Sequence, residues 1–113
     1  MQTGWLLRDE EVLAAAEIAQ DWNERLRGLI GRRELDGALI LHHTRSVHSF
    51  GVRFALDVAF LDSELVVLSM VRLQPWRLAL PRHGGRSILE AAAGRFDRWG
   101  VNLGDKLEFR AAT

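Results

Sequence analysis

The chain has 113 residues, 48% of them apolar and 27% charged, and its fifteen basic and fifteen acidic side chains cancel. That size and balance fit one domain, residues 1–113, with a single core and no global attraction for nucleic acid or an anionic membrane. With no cysteine present, disulfides, thiolate chemistry and cysteine-ligated zinc are excluded.

The opening stretch MQTGWLLRDEEVL reaches charged residues before a signal-peptide apolar region can form. No apolar run approaches spanning length. A cytoplasmic chain without a membrane segment is the expectation. Residues 5–20 are ambiguous, because Ala14, Ala15 and Ala16 favour a helix by propensity. Asp21-Trp22-Asn23-Glu24 is a capping-box pattern, however, and a helix that starts at Asp21 is not already under way before it. Residues 5–8 and 12–19 therefore read as two strands with an acidic turn at Asp9 and Glu10.

The helix from Trp22 is expected to end near Gly31, with Trp22, Leu26 and Leu29 as its buried stripe. Arg25, Arg27, Arg32 and Arg33 fall on or beyond its polar side. After the turn signal Asp36-Gly37, residues 38–41 start a further strand. Its neighbours His42 and His43 point to opposite faces if extended, so they do not make a metal site without a bulge.

The central stretch is VHSFGVRFALDVAFLD, residues 47–62. Phe54, Leu56, Val58 and Phe60 alternate onto one strand face, and Ala55, Asp57, Ala59 and Leu61 onto the other. A strand apolar on both faces is central and buried on both sides. Asp57 then needs a partner, since an unpaired buried carboxylate is costly. Arg53 or a backbone cluster is the expected partner, with His48 and Ser49 close by. Asp62-Ser63-Glu64 closes a hairpin onto a strand over residues 65–73. Pro75 breaks that strand, and Pro81, Gly84 and Gly85 mark a loop. Residues 87–92 read as a strand, 95–99 as a short helix, and 106–109 as a last strand. The fold class expected is mainly β: a compact β-sandwich or partly closed barrel with two short helices.

Several of these motifs together resemble the domain-of-unknown-function 192 family, which is widespread in prokaryotes. Residues 24–32, ERLRGLIGR, match its "ER-x-R-G-L-M-x-R" opening. Residues 47–62 match its "H-T-x-G-M-R-F-P-I-D-V-x-F-L-D" stretch. Pro75-Trp76-Arg77, then residues 87–94 (compare "V-L-E-x-x-x-G"), then Gly104-Asp105 follow in the family's order. The chain departs from that pattern at Ser49 (threonine), Val52 (methionine) and Ala55 (proline). The resemblance implies a compact, mainly β fold and no particular activity.

Candidate ligand-binding residues are His48, Arg53, Asp57, Trp76, Arg77 and Glu90, the polar or aromatic residues set in otherwise apolar or loop segments. They point to a non-catalytic module that binds a small molecule or a protein, through a concave pocket joining His48, Asp57 and Trp76. One alternative is hydrolytic acid–base chemistry by His48 with Asp57. A Ser49/His48/Asp57 triad fails on geometry, because adjacent strand residues face opposite ways and no nucleophile elbow is present. The other alternative is nucleic-acid binding through the arginine-rich helix, residues 22–33. A solvated arginine face is the commoner role of such a helix, which makes nucleic acid the weaker partner. No motif for a cofactor or a metal is present, so neither is expected.

Overall fold

A computed structural model describes residues 1–21, 24 and 35–112. Nine strands are formed among them: β1 (Gln2–Arg8), β2 (Glu11–Ala19), β3 (Ala38–Leu41), β4 (Val47–His48), β5 (Leu56–Leu61), β6 (Val67–Leu73), β7 (Leu78–Ala79), β8 (Ser87–Ala92) and β9 (Glu108–Ala111). One short helix, α1 (Arg95–Trp99), precedes β9. The helix expected over 22–31, with its stripe of Trp22, Leu26 and Leu29, lies outside the described residues except for Glu24. Its capping box is formed: Asp21 Oδ1 accepts from the Glu24 N–H at 2.8 Å, and Glu24 Oε1 accepts from the Asp21 N–H at 3.5 Å.

Seven strands make one sheet in the order β6-β5-β8-β3-β2-β1-β9, and β4 pairs with β7 in a separate two-stranded sheet. The acidic turn between β1 and β2 is a tight one, with Asp9 and Glu10 both at positive φ (50° and 65°), the backbone that matches the twist of a two-residue hairpin. β2 and β3 run parallel, which requires the longer crossover connection that separates them. At the far ends of the sheet, Val66 bridges Lys106, and the Val67 N–H donates to the Asp105 carbonyl at 2.9 Å. The sheet therefore curls into a partly closed barrel. A fully closed barrel is not formed among the described residues. Asp105 secures this seam: Arg8 Nη1 and the Asn102 N–H both donate to its Oδ2 at 2.8 Å. Partial burial opposes its ionisation, but these two donors outweigh it and hold the carboxyl below its ordinary range.

The core divides by strand parity. Ala59 and Leu61 face inward with Ile40, Leu89, Ala91 and Phe96. Leu56, Val58 and Phe60 face the other way, with Leu39, Ile88 and the hairpin residues Val47, Val52 and Ala79. This is why all six residues of β5 are buried. The β4–β7 ribbon, a hairpin in shape only, because β5 and β6 intervene in sequence, covers a second apolar face that a lone barrel would leave in water. Phe54 and Ala55 precede β5 and do not extend it, and the last strand starts at Glu108, two residues later than expected.

Candidate functional site

Asp57 is 6% exposed and points to the barrel-interior side. Its Oδ2 accepts from the backbone N–H groups of Gly94 (2.8 Å) and Phe96 (3.1 Å). Those donors open α1, whose own N-cap, Gly94, has no side chain to offer. Asp57 thus caps a helix from a neighbouring strand, placing negative charge at the positive end of the peptide dipoles. Its Oδ1 accepts from Arg72 Nε and Nη2, both at 3.2 Å. The cationic partner is therefore Arg72, directly opposite on β6, and Arg53 does not fill that place. With four donors on two oxygens, every acceptor position of the carboxylate is used. The adjoining hollow, about 290 Å³, is lined by Asp57, Met70, Arg72 and Phe96 among others. Neither His48 nor Trp76 borders it, so the expected pocket joining all three is not formed there.

Glu90 is buried on β8 opposite Val58 and Leu39. Directly opposed residues share a sheet face, so Glu90 lies on the hairpin side and Asp57 on the other. The two acids belong to different environments.

The remaining candidates gather on the hairpin, organised by Ser49. The Ser49 carbonyl accepts from the Val52 N–H at 3.1 Å across a turn with Gly51 at φ 83°. Positive φ at the third residue is the type II pattern, which glycine adopts without strain. A second turn, Gln74-Pro75-Trp76-Arg77, has Trp76 at φ 62°, a position where a tryptophan is strained. The Ser49 hydroxyl closes this second turn: it donates to the Gln74 carbonyl at 2.6 Å and accepts from the Arg77 N–H at 2.8 Å. The Ser49 N–H donates to the Arg77 carbonyl at 2.8 Å, and the Trp76 N–H to the Ser49 carbonyl at 3.1 Å. Ser49 is fully buried. Its hydroxyl is engaged and faces away from the exposed His48, so no nucleophile–base pair is formed.

We expect Ser49→Ala to cost about 1–3 kcal/mol, because the Arg77 donor and the Gln74 acceptor lose their shared partner. Ser49→Thr keeps the hydroxyl, adds one methyl at a fully buried position, and should cost less than Ser49→Ala. Urea denaturation of both variants decides this, and equal losses would mean that volume, not the hydroxyl, matters at this position.

The two turns present a row of stacked rings. His48 and Phe50 lie 5.1 Å apart between centroids at 26°, and Phe50 and Trp76 5.9 Å apart at 28°. His48 Nδ1 accepts from the Phe50 N–H at 3.2 Å. Leu78 and Leu80 continue beyond Trp76 at two-residue spacing. Phe50, Trp76, Leu78 and Leu80 are between 45% and 66% exposed. Arg53 and Arg77 are exposed too, Arg53 just after the first turn and Arg77 between Trp76 and Leu78 in sequence. Phe50, Leu78 and Leu80 are not among the residues expected from sequence to form a site. The signal lies in the alternation Trp76, Leu78, Leu80 next to Pro75 and Pro81, in a stretch that reads as a mere break.

His42 and His43 stack at 4.0 Å, with Ser87 Oγ 3.5 Å from His42 Nδ1. Among the described residues no three potential ligands converge on a metal position, and no helix is long and apolar enough to cross a membrane.

The model of the DUF192 family, described as "Uncharacterized ACR", matches residues 6–109. The chain belongs to this family. A UPF0127 protein of Thermococcus sibiricus is 32% identical over 99 residues, covering 82% of this chain and 64% of that relative. A second UPF0127 protein, from Pyrococcus furiosus, is 30% identical over 107 residues and covers 90% of this chain and 92% of its own length. Among solved structures, a "putative transcription regulator" from Sinorhizobium meliloti superposes with a TM-score of 0.75 at 25% identity. It covers 96% of this chain and 92% of that one. This DUF192 chain is therefore similar in sequence to archaeal proteins and in fold to a bacterial one. The family motif around residues 47–62 coincides with the two-sided strand and the turn that orients the aromatic row.

Proposed function

We propose that this DUF192 chain is a non-catalytic binding module whose contact surface is the outer face of the β4–β7 hairpin. One observation carries the reading: Phe50, Trp76, Leu78 and Leu80 stand together in water on a hairpin whose other face is buried. Contiguous exposed apolar surface of this kind marks interaction sites on soluble domains. The left-handed backbone at Trp76 adds support, because strain is retained where a side chain must be presented. His48, Arg53 and Arg77 belong to this surface. Asp57 and Glu90 belong to the scaffold beneath it. Hydrolytic chemistry by His48 with Asp57 has little to recommend it, since Asp57 lies on the opposite face of the sheet with its oxygens fully engaged.

The test is Trp76→Asn. Asparagine tolerates the left-handed region, so the variant should melt within a few degrees of the parent, with relief of strain offsetting the lost partial burial. A partner captured from a lysate of the source organism by the parent should be lost by the variant. Retention of that partner by a folded Trp76→Asn protein would remove the hairpin face from the binding surface.

A further inference from the structure

The chain's charge cancels only in sum. Residues 37–56 and 65–89 contain six arginines, all four histidines and none of the fifteen acids. These two stretches supply the hairpin, both of its turns and the loop that leaves β7. These arginines are exposed. Arg72 is taken up by Asp57 on the other face of the sheet. Arg77, between Trp76 and Leu78 in sequence, with Arg53 and Arg82 in the adjoining loops, gives the apolar row a cationic border. A second copy of this face would meet like charge, which disfavours self-association through it.

Among the described residues the hairpin also has an open edge. β7 is the end strand of its two-stranded sheet. Arg77 faces β4, since its carbonyl accepts from the Ser49 N–H. Antiparallel pairing alternates the direction of the backbone groups. At the next pair, His48 and Leu78, the N–H and C=O of Leu78 therefore point away from β4. Leu78 and Leu80 fall on one side of the same segment, away from the buried Ala79, next to those outward groups, and Trp76 stands exposed in the turn just before them.

Resting on the hairpin reading above, we infer that this face receives an extended acidic peptide bearing aliphatic side chains, which adds as a third strand to the outer edge of β7. Strand addition uses the main-chain groups for affinity and alternate side chains for selection. Aliphatic residues of the peptide lie against Trp76, Leu78 and Leu80, and its carboxylates face Arg53, Arg77 and Arg82. Single-stranded nucleic acid would use the aromatic row and the arginines, but it leaves the two leucines and the strand edge without a role.

The test selects a random library of peptides about twelve residues long on the immobilised whole protein. The expected pool is enriched in Asp and Glu interleaved with Val, Ile and Leu. A fluorescein-labelled peptide from that pool should bind at least about tenfold more weakly to Arg77→Glu and to Leu78→Asp, and more weakly as salt rises. Both positions are exposed, and a thermal melt confirms that the variants are folded. A pool without acidic enrichment, or peptides that both variants retain, overturns the inference. A labelled oligothymidylate that binds more tightly than any selected peptide overturns it in favour of nucleic acid. If no peptide is recovered while Trp76→Asn still abolishes capture from the lysate, the peptide inference falls and the hairpin reading stands. If the lysate partner also survives Trp76→Asn, both fall.

Discussion

Asp57→Ala is expected to destabilise the protein by about 2–4 kcal/mol, whatever ligands are present, because the buried Phe96 N–H and the partly exposed Gly94 N–H lose their acceptor and α1 loses its cap. Among the described residues Gly94 and Phe96 have no other side-chain acceptor at the start of α1. Asp57→Asn keeps one oxygen for those donors but turns an amide toward the Arg72 guanidinium, so its cost should be smaller, about 2 kcal/mol. Arg72→Ala should cost about 1 kcal/mol or less. The Arg72 side chain is 53% exposed, and its loss leaves a carboxylate that still holds two backbone donors and can be reached by water. The order Ala, then Asn, then the Arg72 variant identifies Asp57 as the cap of α1 first and an ion-pair partner second. Denaturant unfolding measures all three. An Asp57→Ala protein within about 0.5 kcal/mol of the parent would remove the fastener role and return Asp57 to the candidate binding groups.

Why Asp57 pairs with Arg72 and not Arg53 shows where sequence reading stops. Counting back from the Asp62-Ser63-Glu64 turn with uniform register puts Val71 opposite Asp57. The strand pair shifts between Phe60 and Leu61, so that Leu61 faces Val67 while Phe60 faces Ser69. The extra residue, Leu68, is a bulge that brings Arg72 into line. Nothing in composition or period announces a one-residue bulge. The backbone donors of Gly94 and Phe96 come from 37 and 39 residues away, and only the tertiary fold brings them close.

The two-sided burial of β5 was legible, because a short strand with apolar residues on both phases of its period-two pattern must be covered on both faces to keep them from water. What covers the second face was not. β7 has two residues, one exposed and one buried, flanked by prolines at 75 and 81, and so short a strand has no periodicity to detect. The cationic character of the hairpin was visible in principle. Net charge taken over the whole chain hid it, since six arginines in two acid-free stretches are balanced by acids elsewhere. Sign asymmetry between segments is the quantity that carries information about partners.

Phe60 tests how the scaffold supports that face. It is 1% exposed, in the centre of β5, and belongs to the cluster that holds Val47, Val52 and Ala79 of the hairpin. Phe60→Ala should cost about 3–5 kcal/mol through lost transfer energy and the cavity left behind. The Arg82 guanidinium carbon lies 5.7 Å from the ring centroid, so part of that loss is a cation–π contact of about 0.5–1 kcal/mol. Phe60→Leu keeps most of the apolar volume and removes the ring, and a double-mutant cycle with Arg82→Gln isolates the contact. A coupling near zero would show that Arg82 merely lies over the ring. Because Phe60 faces the hairpin and not the barrel interior, the cavity should loosen the hairpin before the rest. Amide exchange at Ser49 and Arg77, which hold its two turns together, is expected to accelerate in Phe60→Leu while the inward-facing Ala59 and Leu89 amides keep the protection of the parent. Equal acceleration at all four would mean that the hairpin unfolds only with the whole barrel, and that its face is as rigid as the core on which it sits.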